Sequence, residues 1–471
     1  METSAGGRQA EAATGYAAPG YAWYVLVILL LAYILSFVDR QILNLLVVPI
    51  EHDLGINDTQ MSLLQGFSFA IFYALMGLPI ARLVDARSRR GIVGLGILCW
   101  SVMTALCGLA RNFWHMFFAR IGVGVGEAAL LPGATSLVAD FFPPERHGRA
   151  MGVFATGIFL GAGIALIAGG VLLKYISGAT VTLPLLGSVY SWQLVFFVVG
   201  LPGVLVALLT VSIREPPRHG AALPDGARAS VPIREVARYI GHNWRTFVAH
   251  NLGFSVLSLV SYGAGAWIPT FFIRTYGWSA ADAGIRFGLL ALALGPFGSV
   301  AGGWLADRFA RRGVRHGKLK VGVIAALCAI VPAAAFPLVA SPLLSIVLIM
   351  PFFFFVSFVW GVSPAALQEL MPNRMRGQAI ALYTGVLNLI GLGLGPTSIA
   401  LITDYVFHDQ TRINDSIAIV AVIGCLVAAA LFRGGFRPYR DSLDYLDRWH
   451  ESNGAAEPAR RAQVMHTGAT E

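Results

Sequence analysis

Long apolar stretches alternate with short polar ones along almost the whole chain. A helix needs about 20 apolar residues to cross the roughly 30 Å hydrocarbon core of a bilayer, because each residue advances it by about 1.5 Å. Twelve stretches reach this length and predict an all-α polytopic membrane protein with 12 transmembrane helices. The predicted spans are residues 23–50, 61–83, 91–110, 113–141, 150–175, 192–213, 247–272, 280–305, 321–340, 342–371, 379–402 and 417–432.

The composition supports this pattern. Hydrophobic residues make up 56% of the 471 positions and charged residues only 13%, with a mean hydropathy of +0.68, whereas soluble proteins carry about 25% charged residues. Four cysteines, Cys99, Cys107, Cys328 and Cys425, fall within predicted spans at no metal-ligand spacing. We therefore expect neither disulfides nor a metal site, and no cofactor.

Basic residues are distributed unevenly between the loops. The polar N-terminus lacks an apolar core and predicts no signal peptide. If it is cytoplasmic, the inner loops hold most of the 34 Lys and Arg, and the outer loops hold only Arg111, Lys174, Arg274 and Arg412. This bias predicts cytoplasmic termini in the plasma (inner) membrane. The net charge of +9 then faces anionic lipid and indicates no nucleic-acid partner. We expect a monomer.

Two pairs of segments repeat each other. Residues 81–90 read ARLVDARSRR, and residues 303–312, 222 positions later, read GWLADRFARR. A second related pair begins at Asp140 and at Glu369, where a fourth span gives way to a fifth in each half. Two six-span halves in the same orientation are typical of a secondary transporter with its substrate site between the halves, near the membrane midplane.

Spans and repeats together predict five regions. The central loop is cationic and carries apolar residues at helical spacing, which predicts either an amphipathic helix on the inner membrane surface or a solvated linker helix. The regions are the polar cytoplasmic N-terminus 1–20, the first six-helix half 21–213, the linker 214–245, the second six-helix half 246–433 and the cytoplasmic tail 434–471.

The doubled segments resemble the inner-loop motif of the major facilitator superfamily, although Ala81 stands where that motif has its first glycine. Within the superfamily, VDRQIL from Val38, GVGEAALLP from Gly124 and LNLIGLGLGP from Leu387 resemble the spinster-like group. The resemblance covers the whole chain. It implies the twelve-helix facilitator fold and alternating access. It also implies substrates such as lysophospholipids and sphingoid phosphates, which are amphiphiles with an anionic head.

Four ionisable residues lie deep in spans of the first half: Asp39, Arg40, Arg120 and Glu127. Each costs at least ~2.5 kcal/mol at the centre of a lipid-facing helix, so all four should face the protein interior or a wet cavity. Arg120 and Glu127 are seven residues apart, just under two turns. They therefore share a helix face but lie about 10 Å apart along it, too far to bond.

Depth in the membrane suggests partners for these charges. Asp39 and Arg40 on span 1 fall between Arg120 and Glu127 in height, so we expect Asp39 to pair with Arg120 and Arg40 to reach Glu127. An anionic substrate that takes an arginine would leave a buried carboxylate to bind a proton. We predict head-group binding by Arg40 and Arg120 and proton coupling by Glu127 or Asp39. The alternative is an ion-pair cluster that only fixes span 1 against span 4.

The second half lacks matching buried charges, so we expect it to contact the apolar tail of the substrate. The candidate residues are Tyr262, Trp267, Phe355, Trp360, Tyr383 and Asn388. In facilitators the doubled segments act as a cytoplasmic gate, and the resemblance implies the same role here. The candidate gate residues are Asp85, Arg89, Arg90 and Asp140 in the first half and Asp307, Arg311, Arg312 and Glu369 in the second.

Three classes of function remain open at this point. The first is a proton-coupled transporter of an amphiphile with an anionic head. The second is a facilitator-type symporter or drug exporter for a soluble organic anion or a drug, which a polar wall in the second half would favour. The third is a membrane channel or enzyme. The chain carries no P-loop, no histidine pair at metal spacing and no nucleophile motif, which argues against an enzyme.

Overall fold

Helices dominate the part of the chain that the computed structural model describes, which is residues 16–176, 181–183, 187–217 and 231–449. Eleven helical segments of these residues are long and apolar enough to cross a membrane. The predicted second span forms a further continuous rod from Asp58 through Ala86. We number the spans 1 to 12 along the chain. The face with the linker helix is called inner and the opposite face outer.

The first half contains ten helices in the described residues, and several spans comprise two of them in succession. They are α1 Pro19–Gln41, α2 Val47–Leu54, α3 Asp58–Ser62, α4 Ser68–Ala86, α5 Arg89–Cys107, α6 Phe113–Glu127, α7 Leu130–Phe141, α8 Pro144–Ala155, α9 Gly157–Ile176 and α10 Ser191–Val211. A 3₁₀ turn, Ile42–Leu45, extends α1, and a π-helical turn, Leu63–Phe67, joins α3 to α4. On the outer face, strands β1 Val181–Leu183 and β2 Gly187–Val189 pair in an antiparallel arrangement.

The second half follows the linker helix α11, Ile233–His242. Its helices are α12 Trp244–Tyr276, α13 Ala280–Arg311, α14 Gly317–Ala335, α15 Pro342–Val356, α16 Phe358–Leu370, α17 Arg376–Leu387, α18 Leu394–Ile402, α19 Ile413–Gly434 and α20, residues 436–449. Shorter turns are the 3₁₀ segments Asn373–Met375 and Gln410–Arg412 and the π-helical segments Asn388–Gly393 and Thr403–Phe407.

Span 4 is broken in the middle, between α6 and α7. Pro132, in the first turn of α7, has no N–H to donate to the carbonyl of Ala128 one turn earlier, which explains a break at this point. Glu127 is the last residue of α6 and therefore lies at the break, deep in the membrane. The break places an ionisable side chain beside irregular backbone inside the protein, an arrangement tolerated only away from lipid.

Two seams join the halves. Span 5 packs along span 8, and span 2 packs along span 11. Small residues let the backbones approach: a Cβ added at Gly170 would lie 2.8 Å from the carbonyl oxygen of Ala281, and one added at Gly288 would lie 2.7 Å from that of Gly163. Close backbone contact through small residues is typical of helix packing in membranes, where no hydrophobic effect drives the helices together.

Buried side chains form one core cluster that lies mainly in the first half and a larger one that extends through both halves. The outward faces of the spans are also apolar, for example at Leu95, Val211, Phe297 and Val331, all of which are exposed. A soluble protein would bury most such side chains, whereas a membrane-spanning bundle presents them to lipid. The chain is therefore an integral membrane protein.

Candidate transport site

Arg40 and Glu127 form an ion pair between span 1 and span 4. Arg40 Nε donates to Glu127 Oε2 at 2.7 Å, and Arg40 Nη2 donates to the same oxygen. The Glu127 side chain has no exposed area, whereas 12% of the Arg40 side chain is exposed. The arginine therefore reaches the edge of the cluster, while its carboxylate partner is enclosed.

Aromatic rings surround the guanidinium of Arg40. Its Cζ lies 4.5 Å from the ring centroid of Phe69, 4.7 Å from that of Phe37 and 5.5 Å from that of Tyr73. Cation–π attraction is strongest where water is excluded. These rings hold the cation in place without a second carboxylate and offset part of the cost of its burial.

Arg120 has a different partner from the one expected. It is fully buried, and its Nε donates to the carbonyl oxygen of Leu64 at 3.2 Å. Its Nη1 donates to the backbone carbonyl of Asp39 at 3.1 Å, in place of the expected bond to the Asp39 carboxylate. Arg120 thus binds two backbone carbonyls of spans 1 and 2, close to the point where both helices become irregular.

Three buried polar atoms of this cluster have no hydrogen-bond partner among the described residues. They are Asp39 Oδ1, Glu127 Oε1 and Arg120 Nη2. Buried polar groups in proteins are nearly always satisfied, and exceptions tend to occur where a ligand, water or ion binds. The four charges predicted from the sequence therefore come together in one cluster that still has unused hydrogen-bonding capacity.

The cluster borders a cavity of about 130 Å³ between the halves. Its walls come from spans 1, 2, 5, 7, 8, 10 and 11. Arg40 lines it together with three amides that the sequence analysis did not single out: Asn44 donates to Gln41 Oε1 at 2.7 Å, and Gln65 donates to Asn44 Oδ1 at 3.3 Å. Their position within otherwise apolar spans was the sequence signal that could have identified these amides as cavity residues. The polar side of the cavity thus lies on spans 1 and 2.

Two of the six candidate tail-binding residues line this cavity. Tyr262 and Trp360 form part of its second-half wall, with their ring centroids 5.6 Å apart. The other four lie outside the lining. Trp267 is buried and donates to the carbonyl of Pro396 at 2.9 Å, Tyr383 packs on the His250 ring, Phe355 packs on Phe354 and Phe358, and Asn388 begins a π-helical turn.

A buried ion cluster on the outer side joins the two halves, and the sequence analysis missed it. Arg274 of span 7 donates to Glu51 Oε2 at 2.6 Å and to both carboxylate oxygens of Asp58, at 2.8 and 2.9 Å. We call Glu51, Asp58 and Arg274 the outer ion cluster. Beside it, the backbone N–H and the hydroxyl of Thr59 donate to Asp404 Oδ2 at 2.7 and 2.6 Å. These contacts hold the outer ends of the halves together.

Glu51 lies beyond the end of span 1, in α2. Burial and the neighbouring Asp58 carboxylate together raise the pKa of Glu51 to about 9, against the opposing effect of Arg274. One cation with two neighbouring acids cannot fully neutralise both, so a proton on one of them balances the cluster. The sequence signal was available, because Arg274 is one of the few predicted outer-loop cations.

On the inner face, Arg89 anchors a cluster within the first half. Its side chain is 1% exposed, forms an ion pair with Asp140 and donates from Nε to Glu215 Oε1 at 2.8 Å. Arg90 donates to the carbonyl of Ile213 at 2.6 Å. Burial alone would raise the pKa of Glu215, but hydrogen bonds from Arg89, the Arg90 amide and Ser88 lower it below its ordinary value.

The second half has a corresponding cluster around Glu369. It accepts from Lys318 Nζ at 2.6 Å and from the Tyr439 hydroxyl at 2.7 Å. Lys318 lies 229 positions after Arg89, and Glu369 lies 229 positions after Asp140. Lys318 therefore occupies the place of Arg89 in the repeat. The ungapped repeat of 222 positions pairs Arg311 with Arg89 instead, because the loop before span 9 is longer than the one before span 3. Asp307, Arg311 and Arg312 are exposed, and the Asp85 side chain lies outside the described residues.

Two six-helix halves around a central cavity with buried charges define a secondary transporter rather than an enzyme. The family model "Major Facilitator Superfamily" matches residues 29–396, and the chain belongs to that superfamily.

Several known proteins are similar to the chain over most of its length. An MFS-type efflux pump of Mycolicibacterium smegmatis is 28% identical over 437 residues, which cover 90% of this chain and 95% of the pump. Human protein spinster homolog 3 is 28% identical over 411 residues, 82% of this chain and 76% of the human protein. Among solved structures, an inward-facing, unoccupied bacterial homolog of the human lysosomal transporter Spinster superimposes with a TM-score of 0.76 at 28% identity, covering 90% and 99% of the two chains. The resemblance to the spinster-like group is thereby confirmed.

Proposed function

We propose that this facilitator is a proton-coupled transporter of an amphiphile with an anionic head, such as a lysophospholipid or a sphingoid phosphate. The observation that carries the proposal is the placement of Arg40. It lines the cavity between the halves, while the Glu127 carboxylate that neutralises it is fully enclosed. An anion that enters the cavity can contact the arginine directly and compete with Glu127 for it.

The opposite wall suits an apolar tail. The residues that spans 7, 8 and 10 contribute to the cavity are mainly apolar or aromatic, including Phe287, Phe353, Tyr262 and Trp360. Burying a chain of CH₂ groups against such a wall contributes about 0.8 kcal/mol for each group. A polar wall in the second half would have favoured a soluble organic anion. The head would therefore bind near spans 1 and 2 and the tail near spans 7, 8 and 10.

The proton step follows from the ion pair. When the substrate head group takes Arg40, Glu127 remains in a fully enclosed position without its cation. An unpaired buried carboxylate is costly, and binding a proton removes its charge. When the substrate leaves, Arg40 returns to Glu127 and the proton is released. Asp39 is the second candidate for this role, because one of its carboxylate oxygens is buried and unsatisfied among the described residues.

The cavity volume indicates which conformational change is needed. About 130 Å³ holds only a few water molecules, whereas sites for drug-sized ligands are roughly 300–1,000 Å³. The halves must separate to admit an amphiphile, as alternating access requires. The outer ion cluster would keep the outer side closed in the present conformation.

We propose that the protein works as a monomer in the plasma membrane with both termini in the cytoplasm. The cytoplasmic-gate role of the two inner clusters stays a prediction.

Reconstitution into liposomes tests the proposal. The purified protein is offered lysophospholipid, gluconate as a soluble organic anion, and ethidium as a drug, while a trapped dye reports internal pH. We expect lysophospholipid alone to drive a pH change. Glu127→Gln should abolish that change, because the glutamine amide cannot take up and release a proton.

Glu235→Gln is the matched control, because Glu235 is an exposed glutamate on the linker helix that does not line the cavity. It should behave like the unaltered protein. A rate of lysophospholipid transport that is the same with and without a pH gradient, and is unchanged by Glu127→Gln, would contradict proton coupling. A pH change driven by gluconate or ethidium, and not by lysophospholipid, would establish the alternative function of a symporter or drug exporter.

A further inference from the structure

A cleft of about 800 Å³ opens on the inner face of the second half and shares no lining residue with the transport cavity. It lies between the first turn of span 7 and the C-terminal helix α20. We call it the basic cleft, because Arg245, Arg437 and Arg448 line it together with a single acid, Asp441. With histidine counted as neutral, its three cations and one anion leave an excess of two positive charges.

No ion pair among the described residues neutralises the arginines of the basic cleft. Within the described residues neither Arg245 nor Arg437 forms an ion pair, and Arg448 donates only to the backbone carbonyl of Asp444. Arg315, on the same face but outside the cleft, is by contrast paired with Asp444 and Asp447. Cations gathered around one cleft repel each other unless an anion lies between them. The positive-inside bias explains basic residues on this face, but it does not explain their arrangement around a cleft.

The protein holds the cleft in shape with buried polar contacts. Thr246 and Ser442 are buried and join the two helices through their hydroxyl groups at 2.7 Å. The His242 ring stacks on Tyr445, with ring centroids 4.1 Å apart. Asn243, also buried, donates to the carbonyl of Tyr239 at 3.1 Å. The cleft is therefore a formed concavity and not a gap between two loosely packed helices.

The position of Trp244 indicates the depth at which the cleft opens. This side chain lines the cleft, is 55% exposed and lies under the guanidinium of Arg245 at 5.5 Å. Exposed tryptophans at the ends of membrane spans lie at the level of the lipid head groups. Span 7 begins at Trp244, so the arginines meet the membrane where the lipid phosphates are.

We propose that the basic cleft binds the phosphodiester head group of an anionic phospholipid from the leaflet at the inner face. Basic pockets between helices at this level are suited to anionic head groups, and arginine offers a planar set of donors that matches phosphate oxygens. The lipid would be a resident ligand that is not transported, so the assignment does not depend on the proposed transport function.

Lipid titration followed by native mass spectrometry tests the assignment on the full chain in detergent. The probes are phosphatidylglycerol, phosphatidylcholine and inorganic phosphate. The test variant is Arg245→Gln with Arg437→Gln. The control variant is Arg433→Gln with Arg440→Gln, which removes the same charge from exposed residues near the cleft that do not line it.

We expect phosphatidylglycerol to bind the unaltered protein in preference to phosphatidylcholine. The test variant should weaken that binding at least about tenfold, since each basic residue at a membrane surface contributes about 1 kcal/mol, and the control variant less than twofold. An equal loss in both variants would show diffuse charge attraction and overturn the site. Inorganic phosphate that displaces phosphatidylglycerol at equal concentration would show a free-anion site and overturn the lipid assignment.

Discussion

At the scale of the residue, Arg40 combines three functions in one side chain. It donates from two nitrogens to Glu127, it packs among aromatic rings, and it still reaches the cavity. Only arginine has a planar group that can form such hydrogen bonds at its edge and stack through its faces. Lysine carries the same charge but lacks this geometry.

Arg40→Lys should therefore reduce the initial rate of lysophospholipid transport by about tenfold or more while retaining the charge. Rates in proteoliposomes measure the effect. Arg286→Lys is the control, because Arg286 stacks on Trp278 at 4.4 Å outside the cavity lining. A rate for Arg40→Lys equal to that of the control would show that the charge alone suffices.

Glu51 makes closure of the outer side depend on pH. Its raised pKa of about 9 means that the closed state keeps a proton that a solvated Glu51 loses near its ordinary pKa. The closed state therefore has the full benefit of this proton only below the ordinary pKa of 4.5, and it loses that benefit progressively as the pH rises from there to about 9. Closure therefore weakens as the pH rises, as expected for an acid whose pKa is raised by burial. A carboxylate whose pKa is lowered by a salt bridge would give the opposite pH dependence.

A single cysteine at Ser261, on the cavity wall, reports this closure in a chain whose four native cysteines are replaced. Labelling by an impermeant reagent applied from the outer side should accelerate as the pH rises towards about 9 and should change little above that value. The rate is divided at each pH by that of Glu51→Gln, which cannot ionise and also corrects for thiol reactivity. A ratio that does not change with pH would refute the role of Glu51.

At the scale of the element, small residues decide how closely the spans approach. Gly66 lies in the π-helical turn of span 2, and a Cβ there would collide with the carbonyl oxygen of Leu392 on span 11. Gly77, on the same span, has open space around it. The two glycines therefore separate an effect of packing between the halves from a general effect of replacing glycine.

Gly66→Val should lower the thermal stability of the purified protein, because overpacking costs about 1–3 kcal/mol. It should also accelerate labelling of the cysteine at position 261 from the outer side, because spans 2 and 11 can no longer close. Gly77→Val should change neither measurement. Similar results for the two variants would mean that the contact between Gly66 and Leu392 does not hold the seam.

At the scale of the whole molecule, Arg274 joins residues that are more than 200 positions apart in the chain. Its contact with Glu51 spans 223 positions and crosses from the second half to the first. The inner clusters around Arg89 and Glu369 instead connect elements of one half. In the described part of the chain, charge pairs thus join the halves at the outer ends and brace each half at the inner ends.

Arg274→Gln should open the outer side. It leaves the buried Glu51 and Asp58 without their cation, a change that costs about 3–5 kcal/mol in a buried pair. Labelling at position 261 from outside should rise at least about tenfold. Arg412→Gln is the control, because Arg412 is a half-exposed outer-side arginine paired with Asp415 of the same half. Equal labelling of the two variants would exclude the outer ion cluster as a closing device.

The membrane class, the positions of the spans, the doubled plan and the presence of four charges deep in the first half could all be predicted from the sequence alone. These properties are local, since hydropathy, helix rise and repeat spacing can be read from neighbouring positions. The expected contact between Arg40 and Glu127 is present for the same reason, because two helices of known depth need only face each other.

Contacts that depend on which helix faces meet are defined only in the folded bundle. Arg120 donates to backbone carbonyls of spans 1 and 2, beside the segments where these spans become irregular. The outer ion cluster and the cavity walls likewise depend on packing between distant segments. The same is true of the pairing of Glu369 with Lys318 in place of the expected Arg311. A pattern along one helix shows which face is polar, but only the packed bundle determines what that face contacts.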